Sequence, residues 1–63
     1  MKELEKMTRR ELAEVIVNEQ IKKGIVKPES KEFQIQARLK GCGALKPMCK
    51  NELYAGAKAY IEG

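Results

Sequence analysis

The chain contains no histidine, no aspartate and no tryptophan, and its 63 residues include only 5 glycines, 2 prolines and 2 cysteines. Each gap removes a class of chemistry. Without histidine there is no ordinary base to activate a cysteine or serine nucleophile. Two cysteines also cannot fill the four positions of a zinc site unless a second chain supplies the rest. No P-loop or dinucleotide-type glycine pattern is present. The 9 carboxylates are all glutamates, spread over helix faces where solvated charge accounts for them. Neither an enzyme nor a cofactor is expected. Long apolar runs are missing too: nothing approaches the roughly 20 residues needed to cross a bilayer. The opening MKELEKMTRR lacks the apolar stretch of a secretory signal. The expected setting is therefore cytoplasmic, with no membrane partner and with thiols that ordinarily stay reduced.

What is present is 43% hydrophobic and 35% charged residues, the balance of a folded, helix-rich domain. The length allows one domain, residues 1–63, with residues 1–6 expected to fray. A chain this short buries only about 60% of its unfolded surface, so a staple or a partner subunit would add useful stability. Net charge is +4, unevenly placed. Residues 1–20 carry four bases and five acids, for −1. Residues 21–50 carry eight bases (Lys22, Lys23, Lys27, Lys31, Arg38, Lys40, Lys46, Lys50) against Glu29 and Glu32, for +6, and residues 51–63 return to −1. A basic middle attracts a phosphate backbone or an acidic protein surface; it also serves simply as a solubilising surface.

An all-α fold of three helices follows from the punctuation. Thr8 and Glu11 have the spacing of a capping box, and Met7 and Leu12 that of a hydrophobic staple. Leu12, Ala13, Val15, Ile16 and Val17 then form an apolar face, and Gly24 is a natural stop, with Ile25 placed for a C-terminal apolar contact. This predicts a first helix over 8–23. A second is predicted over 30–40, capped by Ser30 and ended by Gly41. The alternation of Phe33, Ile35, Ala37 and Leu39 also fits a short β-hairpin pairing 25–27 with 33–37, an α+β alternative, although an isolated hairpin is marginal. GCGALKP reads as a loop, and a third helix is predicted over 50–62. In it Ala55, Gly56, Ala57 and Ala59 make a small-residue surface. A glycine in a helix interior costs about 1 kcal/mol against alanine, which either close approach of another backbone or plain tolerance would explain.

LEKMTRREL (4–12) and LKPMCKNEL (45–53) share Leu, Met, a basic residue and Glu-Leu in register. Met48 thus takes the staple position of Met7, Glu52 the reach-back position of Glu11, and Cys49 the cap position of Thr8. A thiol is a weaker acceptor than a hydroxyl. Asn51 is a competing cap. For Cys42 and Cys49 three roles stand open: structural thiols, a redox or disulfide pair, or a metal site completed by a second chain.

Thr8, Glu11, Leu12, Gly24, Ile25, Lys31, Phe33, Arg38 and Leu39 fall in a pattern that resembles the SAP-like helix–extended–helix DNA-binding motifs, over about 35 residues. The first helix is longer than in that family, and Pro28 replaces small residues. The resemblance implies contact with a DNA backbone through Ser30, Lys31 and nearby bases.

Two functional expectations result. The first is a non-enzymatic protein-interaction module, a regulator or inhibitor working through a helical surface, or a homodimer; its helix-interface residues are Leu53, Ala55, Gly56, Ala59 and Tyr60. Small accessory proteins, phage-encoded ones among them, offer an analogy. The alternative is a nucleic-acid-binding module in which Lys27, Ser30, Lys31, Arg38, Lys40, Lys46 and Lys50 meet phosphates, or an acidic partner.

Overall fold

The computed structural model describes residues 3–62. A 3-10 turn at Leu4–Lys6 leads into α1 (Arg9–Lys22); a second 3-10 turn at Pro28–Ser30 leads into α2 (Lys31–Lys40), and α3 spans Lys50–Glu62. The fold is a small all-α domain with no strand among the described residues. The hairpin alternative is corrected: 33–39 is helical, and the short segment after Gly24 offers it no partner strand. Among the described residues one isolated β-type bridge links Cys42 to Leu45. Of the first residues, Leu4 packs on the core, while Met1 and Lys2 lie outside the described residues.

The caps set the helix ends. Thr8 Oγ1 accepts from Glu11 N at 3.2 Å, and the Glu11 carboxylate accepts from Thr8 N at 3.1 Å, the reciprocal box that satisfies two orphan donors. At the far end Gly24 (φ +79) lets Gly24 N donate to Ile21 O and Ile25 N to Gln20 O, the Schellman pair of bonds. The apolar contact expected of Ile25 is made elsewhere: Ile25 is 64% exposed, and Val26 packs against the core. Ser30 is a second correction. Its side chain caps nothing and its backbone is already near-helical, at φ −93 and ψ 4. Helical geometry begins earlier, at Pro28, with Ser30 N donating to Lys27 O, because proline is pre-set for a first-turn position.

The core is Met7, Leu12, Ala13, Ile16, Val17, Ile35, Leu53 and Ala57. Half of it comes from α1, which packs against both other helices, whereas α2 and α3 touch each other little. Arg9 meets Met48, Ile16 faces Gly56, and Gln20 meets Tyr60. These three pairs rise together in number, so α1 and α3 run parallel and their N-termini share one end. α2 and its loops carry the chain back between them.

Gly56 has its reason here. A Cβ at that position would stand 3.0 Å from Ile16 Cδ1, so the close approach is by a side chain of the chain's own first helix. Gly56→Ala should change stability by less than about 0.5 kcal/mol, because the helix-propensity gain of about 1 kcal/mol is offset by crowding. With Ile16→Val, which removes Cδ1, the same substitution should stabilise by about 1 kcal/mol. Urea unfolding of the four proteins measures this coupling, and equal effects in both backgrounds contradict the packing account.

Candidate interaction surfaces

Three surfaces emerge from this arrangement. The first is a groove of about 700 Å³ between the Leu4–Lys6 turn, the outer stripe of α1 and the end of α3. Leu4, Met7, Val15 and Ile61 form its apolar floor and side, while Glu3, Asn18, Glu19 and Lys22 stand around it. The helical spacing of Val15, Asn18, Glu19 and Lys22 places them on one face of α1. Ile61 projects at this groove with 49% of its surface exposed. The rim charges are matched within the chain, Lys6 Nζ to Glu3 and Lys22 Nζ to Glu19, both at 3.8 Å. The apolar periodicity of the sequence marks Val15 as core-facing. Only the Leu4–Lys6 turn, which packs against α3 and brings Leu4 to the same recess, turns it into a groove wall.

The basic residues expected to act together separate into three groups. Arg38 is committed internally: Nη2 donates to Gln20 Oε1 at 3.0 Å and Nη1 to Gln34 Oε1 at 3.4 Å. Lys31 lines a shallow recess with Glu14, Glu29 and Glu32, near half-buried Ser30 and exposed Lys27, so acidic neighbours dilute its charge. There Arg10 holds Glu32 through two bonds of 3.1 and 2.8 Å. That hydrogen bond keeps the Glu32 carboxyl below its ordinary pKa and raises that of Arg10. Lys40, Lys46 and Lys50 form the third group, all exposed. The loop after α2 folds back so tightly that a Cβ on Gly41 (φ +84) would lie 2.8 Å from both Leu45 O and Pro47 Cδ. Lys46 thus sits beside the end of α2, and Met48 N, two residues before Lys50, donates to Arg38 O at 2.9 Å. None of Lys27, Lys31, Lys40, Lys46 or Lys50 is in an ion pair with a described carboxylate.

The small-residue face of α3 is split as well. Leu53 is fully buried, Gly56 lies under Ile16, and Tyr60 is half-buried, with its hydroxyl accepting from Gln20 Nε2 at 3.4 Å and Lys23 Nζ 4.9 Å above its ring. These three serve the intramolecular contact with α1. Ala55 and Ala59 alone of the five remain exposed.

Two residues that composition and periodicity leave unmarked turn out to join the elements. Gln20 accepts from Arg38 of α2 and donates to Tyr60 of α3. Arg9 donates through Nη2 to Leu39 O at 2.9 Å, and through Nη2 and Nε to Met48 O at 2.7 and 3.2 Å. A positive charge at the last carbonyls of α2 is the signal that could have found Arg9, but only once the tertiary contact is known.

Cys42 and Cys49 are free, exposed thiols. Among the described residues no three histidine, cysteine or acidic side chains gather as metal ligands, and no helix is long and apolar enough to cross a membrane. Neither family models, curated proteins nor solved structures yield a match to the chain.

Cys49 occupies the cap of α3. Glu52 Oε1 accepts from Cys49 N at 3.3 Å and Leu53 N donates to Cys49 O at 3.0 Å, half of the box seen at Thr8. Cys49→Ser supplies a better acceptor and should stabilise the protein by about 0.5 kcal/mol. Thermal unfolding under reducing conditions tests this, and a loss of stability would show that the thiol does something a cap does not.

Proposed function

We propose that the protein is a non-enzymatic docking module that binds another polypeptide through the groove between α1, the Leu4–Lys6 turn and the end of α3. The observation that carries this reading is the groove itself. Its volume of about 700 Å³ falls in the range of binding sites, roughly 300–1,000 Å³. Its surface is mostly apolar and it is partly open to solvent, as a helix-receiving groove is. Its rim pairs, Glu3 with Lys6 and Glu19 with Lys22, leave an apolar slot with little net charge, which suits the apolar stripe of a partner segment. Regulation or inhibition of a larger protein by occupying its surface is the functional form this supports.

Selection of a displayed peptide library on the immobilised protein tests the reading. Peptides with apolar residues at helical spacing should be enriched and should lose at least tenfold in affinity, about 1.4 kcal/mol, against Ile61→Glu and Asn18→Arg. Both positions are exposed, so the fold should survive. Peptides that ignore both substitutions argue against the groove.

A second reading rests on a separate observation, the exposed cluster of Lys40, Lys46 and Lys50 around the α2–α3 loop. Three cations without carboxylate partners suit a phosphate backbone. The one well-exposed aromatic, Phe33 at 61%, lies seven residues before Lys40 on α2, so base stacking is not provided for there. Three neutralised phosphates predict that affinity for a short DNA duplex falls about 40-fold between about 50 and 200 mM salt. Fluorescence anisotropy measures it, and a salt-independent signal, or one unchanged in Lys46→Glu, excludes this role.

A further inference from the structure

The groove face carries both halves of a contact. A recess between Leu4, Met7 and Val15 lies next to a projecting side chain, Ile61, on the same side of the molecule. A two-fold axis through such a face places the knob of each copy into the hole of the other, because an isologous interface requires one patch to be its own complement.

Charge decides where a protein of net charge +4 can meet itself. The described lysines without carboxylate partners, Lys23, Lys27, Lys31, Lys40, Lys46, Lys50 and Lys58, are not among the residues lining the groove, and Lys58, one turn before Ile61 on α3, is the one nearest its edge. Segment 3–22, which supplies most of the groove, carries five glutamates against Lys6, Arg9, Arg10 and Lys22. Its two rim lysines are already paired. Two copies approaching groove to groove therefore avoid the like-charge repulsion that an approach through the loop would meet.

We infer that the occupant of the groove is the groove face of a second copy of this chain, related by a two-fold axis, with each Ile61 seated against Leu4 and Val15 of the other protomer. This rests on the reading of the groove as a polypeptide-docking site and names its partner.

Sedimentation equilibrium with reductant present, to exclude disulfide-linked pairs through Cys42 and Cys49, provides the test. Over roughly 5 to 500 μM the mean mass should rise from 7.1 kDa towards twice that value, as mass action requires. An apolar contact should hold or tighten when salt is raised from about 0.1 to 1 M, where exposed charges are screened. Ile61→Glu should weaken association at least tenfold while retaining the helical circular dichroism of the parent and, at about 5 μM where both are monomeric, its melting temperature. Lys46→Glu should leave it unchanged.

A protein that stays monomeric throughout this range overturns the inference. So does a dimer indifferent to Ile61→Glu or strengthened by Lys46→Glu, since either would place the contact elsewhere. If the protein is monomeric yet still selects peptides sensitive to Ile61→Glu, the docking reading stands with a foreign partner. If both measurements are negative, both fall.

Discussion

One helix has to serve as the core for two others. Because α2 and α3 scarcely touch, their packing runs mainly through α1, with the Leu4–Lys6 turn as a further contact of α3, and Leu12, Ala13, Ile16 and Val17 of α1 are almost wholly withdrawn from water. The demand is geometric. A helix can present apolar residues towards two neighbours only if its apolar face is wide, and consecutive Val15, Ile16 and Val17 provide that width. Small partners complete the fit. Gly56 brings α3 within reach of Ile16 Cδ1, and fully buried Ala57 keeps that face of α3 small.

Polar links then fix what apolar packing leaves adjustable. Arg9 at the start of α1 and Gln20 near its end both join it to its neighbours. Between them they set the tilt of α2 and the register of α3. No buried side-chain polar atom is left without a hydrogen bond among the described residues, so this small core avoids the desolvation penalty that an unpaired polar group would add.

The local code was largely readable. Helix ends are written in nearby residues, so Thr8 with Glu11, Gly24, Gly41, and Cys49 with Glu52 announce themselves within a few positions. Helix type for 33–39 was readable only against a competing period of two, and it was settled by the lack of a partner strand. The parts that escaped depend on who lies opposite. Ser30 has the chemistry of a cap, yet Pro28 starts the turn first. Arg38 looks like one base among eight, yet Gln20 and Gln34 take its donors. Leu53 and Tyr60 look like an outward stripe until α1 covers them. The groove was not legible at all, because it is made where an N-terminal turn packs against α3 beside α1, and no local spacing encodes that contact.

The clasp at Arg9 has a further consequence. One guanidinium touches the carbonyls of both Leu39 and Met48, so the chain leaves and re-enters the body of the protein at nearly the same place. Residues 40–47 are thereby an Ω-like excursion, closed at its neck by side-chain hydrogen bonds and pinched at its tip by the mutual Cys42–Leu45 bonds of 2.9 Å. A closed neck mechanically uncouples the tip from the helices. Loop length and the side chain at Ala44 are then free to vary, with Gly43 held to glycine by its left-handed backbone (φ +58), since lengthening a loop whose ends are already joined adds little entropy cost. The protein thus has one segment in which evolution, or a designer inserting a tag or a recognition peptide, can change the surface without renegotiating the core.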